Sequence, residues 1–307
     1  MMANIKELAA QKEKFLGGHR ACAGCGATIA ARQVLLAAQQ PVVVGAATGC
    51  LEVISTIYPY TAWGVPYIHN AFENVAATIS GVESAYRAFR KRGKIDKEIR
   101  FIAFGGDGGT YDIGLQALSG MIERRHRMLY VCYNNEAYMN TGIQRSSATP
   151  SGAHTTTSPA GTVIPGKMQP RKNLTEIIIA HDPAYAAQAS IGHWNDLVTK
   201  VRKALDADGP SFINILSPCR LGWAYAPEKT AVVARLAMEC CIWSLYEYEN
   251  GKYKITVKPK EKKPIEEYLK MQGRFGHLFK LKDNTTIPDF QAEIDRQWER
   301  LLKRSAE

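Results

Sequence analysis

The stretch IRFIAFGGDGG, residues 99–109, divides into two halves. Ile99–Phe104 is a short apolar run of strand-forming residues, and it passes directly into Gly105-Gly106-Asp107-Gly108-Gly109. Ile113–Arg124 then has helical periodicity, so the glycines bridge a strand and a helix. Glycines in such a turn let the backbone approach a diphosphate, and the amides at the helix start neutralise its charge. A second strand, Met128–Tyr133, ends on Asn134-Asn135, with 25 residues separating that pair from Gly108. Asp107 and Asn135 are hard oxygen donors suited to a Mg2+ ion bridging two phosphates. Nucleotide motifs are absent: there is no Gly-Lys-Ser/Thr run, and the glycine spacing is not Gly-x-Gly-x-x-Gly. Gly-Asp-Gly alone could be a mere tight turn; the spacing, with both pieces at strand ends, favours a site.

Working outward, Ala27–Ala38 reads as a helix and Pro41–Ala46 as a buried strand. Gly81–Arg92 reads as a helix with a basic outer face. Asn195–Asp206 is an amphipathic helix stopped by Asp208-Gly209-Pro210, and Ser211–Leu216 is a strand. Buried strands separated by helices predict an α/β fold, a parallel sheet with helices on both faces. Ligands of such sheets gather at the carboxyl ends of the strands. Cys50 follows the strand Pro41–Ala46, and Cys219 follows Ser211–Leu216. Cys22-Ala-Gly-Cys25 opens the helix that runs back before the first strand. Pieces far apart in sequence therefore converge on one rim. Thr141–Asn173, rich in Ser, Thr, Gly and Pro, is a loop long enough to expect a function for it. His69, alone in a loop, reads as structural.

Composition bounds the rest. The 307 residues are 46% hydrophobic and 22% charged, which excludes a disordered tail, a disulfide miniprotein and a collagen-like fibre. No apolar run approaches the roughly 18 residues of a membrane span. The first residues lack a signal-like apolar block and carry Lys6, Lys12 and Lys14, so a soluble, cytoplasmic protein is expected. Thirty-nine Lys and Arg against 29 Asp and Glu leave a net charge of +10. Gly251–Asp283 supplies much of it, with ten basic residues against four acidic. From about Ala224 the pattern changes to a helix-like Ala234–Tyr246, that basic stretch, and an amphipathic end. Residues 1–225 are thus expected as one domain and 226–307 as an extension packing on partner subunits. The apolar residues of the basic stretch, among them Ile255, Ile265, Tyr268, Leu269 and Phe275, suggest a strap. Its lysines also suit an acidic partner.

The pair Gly-Asp-Gly and Asn-Asn resembles the thiamine diphosphate fingerprint. The strings CAGCGATIAAR (22–32), ATGCLEV (47–53), FGGDGGTYDIGLQALSGMIERRH (104–126), YNNEAYMNTGIQRSSATP (133–150) and LSPCRLGW (216–223) resemble the β subunits of 2-oxoacid:ferredoxin oxidoreductases, most closely the pyruvate type. The resemblance extends over about Gly17–Tyr225. It implies that Asp107, the Asn135 side chain and the Ala137 carbonyl hold Mg2+. It places Thr48, Gly49, Gly106, Gly108, Gly109, Tyr138, Asn140 and Thr141 against thiamine diphosphate. Asn140 would be catalytic, its amide hydrogen-bonding charge that develops on the substrate oxygen. It also implies that Cys22, Cys25, Cys50 and Cys219 ligate one 4Fe–4S cluster. Spacing alone leaves a structural zinc or a redox dithiol open. An iron–sulfur cluster suits the one-electron acceptor that oxidative decarboxylation needs. Of the other cysteines, Cys132 reads as inert core, and Cys240 and Cys241 as helical packing residues.

The implied reaction takes a 2-oxoacid, coenzyme A and oxidised ferredoxin to acyl-CoA, CO2 and reduced ferredoxin. Pyruvate is the expected substrate; branched-chain, aryl or oxalate-like oxoacids are the alternatives within the family. The activating Glu would come from the α subunit, because neither Glu52 nor Glu73 matches that role, so the chain is expected to be silent alone. Single-chain relatives carry an acid where this sequence has Ala27. The implied partners are α, γ and δ subunits and ferredoxin, without nucleic acid or membrane. Two rivals stay open. A non-redox thiamine carboligase or decarboxylase would leave the four cysteines idle, and a four-Cys zinc module binding nucleic acid would leave the diphosphate turn unexplained.

Overall fold

Alternation along the strands builds two cores on one sheet. In Arg100–Gly106, Phe101 and Ala103 pack on one face while Ile102 and Phe104 pack on the other. This is the two-residue period of a strand covered on both sides. The computed structural model describes residues 4–161, 163–281 and 285–306. Lys282 and Asp283 of the basic stretch lie outside the described residues.

In chain order the helices are α1 (Ile5–Ala9), α2 (Gly26–Ala37), α3 (Cys50–Ser55), α4 (Val75–Lys91), α5 (Leu115–Glu123), α6 (Leu174–Ile179), α7 (Trp194–Asp206), α8 (Thr230–Glu239), α9 (Ile265–Lys270) and α10 (Thr286–Arg304). The strands are β1 (Val42–Ala47), β2 (Tyr67–Asn70), β3 (Arg100–Gly106), β4 (Leu129–Asn134), β5 (Tyr185–Ser190), β6 (Ser211–Leu216), β7 (Leu245–Glu249) and β8 (Lys252–Val257). They form one sheet in the order β2-β1-β3-β4-β6-β5-β7-β8. The first six are parallel, and β7 and β8 add an antiparallel hairpin beside β5.

α2 is helical because Ala and Leu dominate it, and Pro41 bars its continuation. Its Ala30, Ala31, Val34 and Leu35 meet Leu197, Val198 and Val201 of α7 on one face of the sheet. α4, α5 and α6 cover the other face through Ile79, Leu118 and Ile178. Each such fully buried aliphatic side chain contributes about 1.5–3 kcal/mol.

The carboxy-terminal third departs from the sequence expectation. Residues after 226 continue the same sheet through β7 and β8 and build a third core around Trp223, Trp243 and Tyr268. Ile265, Tyr268, Leu269 and Phe275 are completely buried within the chain. The apolar set that suggested a strap is therefore satisfied internally, leaving charge as the reason for expecting partners there. Cys240 and Cys241 are packing residues as expected, yet α8 stops at Glu239, before both, and Cys241 has φ +58. His69 lies on β2 rather than in a loop. Among the described residues no helix is long and apolar enough to cross a membrane.

Candidate active site

Four parallel strands release their chemistry at one edge. β1 hands on to Thr48, Gly49 and Cys50, β3 to Asp107, β4 to Asn135, and β6 ends three residues before Cys219. Register sets these ends side by side, with Gly106 opposite Tyr133 and Asn134 opposite Leu216. After β3 the chain makes a π-helical turn over Gly108–Ile113 before α5, a widening that often accompanies functional sites. Thr48, Gly49, Gly106, Asp107, Gly108, Gly109, Asn135, Ala137, Tyr138, Asn140 and Thr141 all line one cleft, completed by Cys50, Phe72, Tyr133 and Met139. A wider cleft of about 430 Å³ opens near Trp243 and Arg304, but it has no glycine turn, so chemistry rather than size marks the site.

The Tyr138 ring lies flat on Gly108, where any Cβ would fall 2.3 Å from it, and its hydroxyl donates to the Gly108 carbonyl at 3.0 Å. Asp107 is fully buried and, among the described residues, is the only carboxylate lining the cleft. Burial pushes its carboxyl up to about 7 and nearby Glu136 adds to that, against hydrogen bonds from Ser146, Asn135 and its own backbone. Ser146 Oγ donates at 2.5 Å and the Asn135 backbone amide at 3.2 Å. Among the described residues no Lys or Arg pairs with it, an arrangement that suits a cation supplied from outside the chain.

The Asn135 side chain sharpens that fit. Its oxygen faces only acceptors, the Ala137 carbonyl and Asp107 Oδ1; turning the amide over sets its NH2 at 2.9 and 2.8 Å from them. Three oxygens aimed at one point need a donor or a cation between them. The turned amide satisfies them without metal, and a divalent cation satisfies them with the amide oxygen inward. The donor set thus fits Mg2+ with a diphosphate.

The cysteines gather at the same edge. Cys22–Cys25 forms a tight turn that needs Gly24 at φ +71, and Thr230 Oγ1 donates to the Gly24 carbonyl at 2.7 Å. A Cβ on Gly26 would lie 2.5 Å from the Ser217 backbone, so the chain after Cys25 touches the segment leading to Cys219. Burial raises the Cys50 thiol to about 12, and its neighbours Cys219, Cys25 and Cys22 push the same way. Burial also raises Cys219, which Cys25 and Cys22 reinforce and the amides of Gly222 and Leu221 oppose. All four are free thiols, three of them half-buried and Cys22 exposed. In number and chemistry they suit a cluster. Among the described residues, though, no three His, Cys, Asp or Glu side chains stand close enough to hold a metal ion. Cys132 is completely buried in the core between sheet and helices.

Glu52 is held by Thr56 Oγ1 at 2.8 Å, and neither it nor Glu73 lines the cleft. His69 Nε2 is 2.9 Å from Thr48 Oγ1 and 3.6 Å from Glu52 Oε2, so it steadies a cleft residue. Ala27, in the first turn of α2, is buried and does not line the cleft. Sequence reasoning passed over Ser146, Glu136, Arg171, Trp223 and Arg274. Ser146 and Arg171 sit in the long loop already expected to be functional, and Glu136 follows the Asn-Asn pair. Nothing local marks Arg274.

Residues 47–215 match the family model of the thiamine pyrophosphate enzyme C-terminal TPP-binding domain. The chain is 56% identical to pyruvate synthase subunit PorB of Thermotoga maritima, over 98% of this chain and 96% of that one. It is 45% identical to ketoisovalerate oxidoreductase subunit VorB of Pyrococcus abyssi, over 95% and 93%. A solved 2-oxoglutarate:ferredoxin oxidoreductase from Magnetococcus marinus shares the fold, with a TM-score of 0.56 and 21% identity over 71% of this chain and 69% of that one.

Proposed function

The chain belongs to the family of 2-oxoacid:ferredoxin oxidoreductase β subunits, and from that premise we propose that it carries the thiamine diphosphate site of a pyruvate-oxidising complex. The observation that carries the proposal is the convergence of the Asp107, Asn135 and Ala137 oxygens beside four free thiols at one sheet edge. Higher identity to the pyruvate synthase subunit than to the ketoisovalerate one supports pyruvate over a branched substrate.

Asp107, Asn135 and Ala137 would hold Mg2+, and the amides of Gly106–Gly109 would receive the diphosphate. When bound, thiamine diphosphate supplies the electron sink on which a 2-oxoacid loses CO2. Asn140, exposed at the mouth of the cleft, would donate to the substrate oxygen as its charge grows. Cys22, Cys25, Cys50 and Cys219 would hold one 4Fe–4S cluster as the electron exit. Asp107 is the one carboxylate among the described residues that line the cleft, which supports an activating Glu supplied by the α subunit. The exposed Lys258 and Lys260 would face a partner subunit or ferredoxin, and coenzyme A would reach the cleft in the assembled complex, in the cytoplasm.

Anaerobic co-purification with partner subunits, followed by a panel of 2-oxoacids with ferredoxin as acceptor, tests this reading. A brown complex absorbing broadly near ~400 nm and fastest on pyruvate is expected. A colourless, zinc-containing protein would overturn the cluster. Ferredoxin-independent decarboxylation would favour the non-redox alternative.

A further inference from the structure

The cation-binding turn contains a residue in a costly conformation. Glu136, between the donors Asn135 and Ala137, has φ +65 and is 1% exposed. A non-glycine residue in the left-handed region stays there only when its surroundings hold it. Four contacts from distant parts of the chain do so. Arg171 donates to Glu136 Oε1 at 2.8 Å, and Arg274 to Oε2 at 2.5 Å. Thr149 Oγ1 donates to the Glu136 carbonyl at 2.7 Å, and Trp223 Nε1 to the Asn135 carbonyl at 2.8 Å.

Arg274 joins two of these. Its guanidinium lies 4.0 Å from the centre of the Trp223 ring, so one planar group stacks on the side chain that fixes the Asn135 carbonyl and pairs with Glu136. It is 4% exposed, its Nε donates to Gln272 at 2.9 Å, and its own carbonyl accepts from His154 at 3.0 Å. Arg274 also comes from the basic stretch of the carboxy-terminal third, 138 residues from its partner.

We propose that Arg274 is a positioning residue for the cofactor: by holding Glu136 left-handed and Trp223 in place, it aims the Asn135 amide and the Ala137 carbonyl at Asp107. The carboxy-terminal third then governs cofactor retention. This rests on the assignment of Asp107, Asn135 and Ala137 as the Mg2+ donors.

The test is titration of thiamine diphosphate, with and without Mg2+, into the anaerobically purified complex stripped of cofactor. Melting of the same stripped samples is recorded in parallel. Groups that orient metal ligands typically change affinity by about 10–100-fold when removed. Arg274→Gln should therefore raise the Mg2+-dependent dissociation constant at least about tenfold, and Arg274→Lys, which keeps the charge without the fork, should recover part of it. Should Arg274→Gln fail to assemble, Trp223→Phe keeps the stacking ring, removes only the hydrogen bond to Asn135, and should weaken binding in the same direction. A lowered melting temperature with wild-type thiamine diphosphate affinity in Arg274→Gln, or in Trp223→Phe where that variant stands in, would overturn the inference. Asp107→Ala separates the two levels. If it too binds like wild type, the donor assignment has failed; if it loses binding while the other variants do not, only the role of Arg274 has failed.

Discussion

Replacing Asp107 by Asn should flatten the pH dependence of stability in the cofactor-free chain while abolishing Mg2+-dependent thiamine diphosphate binding. Burial is the chief cause that raises this carboxyl from 3.8 to about 7. The folded chain therefore keeps a proton that the unfolded chain releases near pH 4. Between those values the folded state binds more protons, so stability falls as pH rises and the whole cost is present above pH 7. Each pH unit well inside that window is worth about 1.4 kcal/mol and the slope fades as pH nears 7, so the wild type should lose about 2 kcal/mol between pH 5 and pH 7 through this one group. Full burial of the side chain means that solvent screening removes little of it. Asn keeps the shape and its one oxygen still accepts from the Asn135 amide, while its NH2 faces Ser146 Oγ as a donor, and it cannot ionise. Urea unfolding of the chelator-stripped full chain at pH 5 and pH 8, with calorimetric titration of Mg2+ and thiamine diphosphate, measures both effects. Parallel pH profiles for the two proteins, or undiminished cofactor binding by Asp107→Asn, would refute the reasoning.

Cys219→Ser should lose iron on anaerobic purification, whereas Cys132→Ser, in the core, should keep it; iron assay gives the answer, and the reverse result would discard the ligand set. Gly24→Ala should cost at least about 2 kcal/mol in chemical denaturation and lower iron content, because φ +71 disfavours a side chain and its Cβ would sit 2.4 Å from the Pro227 carbonyl. Neutralising Lys258 and Lys260 should slow ferredoxin reduction at low salt and hardly at high salt, read by stopped-flow absorbance. Lys262 and Lys263 pair with Asp295 and Glu239 within the chain, so neutralising them should matter less for that rate.

Four of the six parallel strands, β1, β3, β4 and β6, were legible because they are short, largely apolar runs with glycine, asparagine or cysteine at or within three residues of their ends. β6 falls on the predicted Ser211–Leu216, and β1, β3 and β4 within two residues of prediction at either end. β5 was not legible: YAAQAS is alanine-rich and has neither β-branched residues nor clear alternation. β7 was hidden because apolar residues run on from α8 past its end, and helix and strand cannot be told apart by apolar content alone. The site residues in the glycine turn and the Asn-Asn pair could be read because each lies within a few residues of a strand end. Arg274 could not, since its partner is far away in sequence and only the third core brings them together.

The placement of β6 has a consequence for the newborn chain. β5 is synthesised before β6, yet it joins the sheet only through β6, which lies between it and β4. While the ribosome is still making the first 190 residues, the sheet can hold only β2, β1, β3 and β4. The Cys22–Cys25 turn must then wait with no neighbouring chain to close against. Insertion of β6 seats β5, opens the place for the β7–β8 hairpin, and carries Cys219 to the other three thiols in one event. A ligand shared by all four thiols would therefore have to follow translation of β6 and Cys219, whereas an early stop codon after β4 would leave a protein with the glycine turn but without that last thiol.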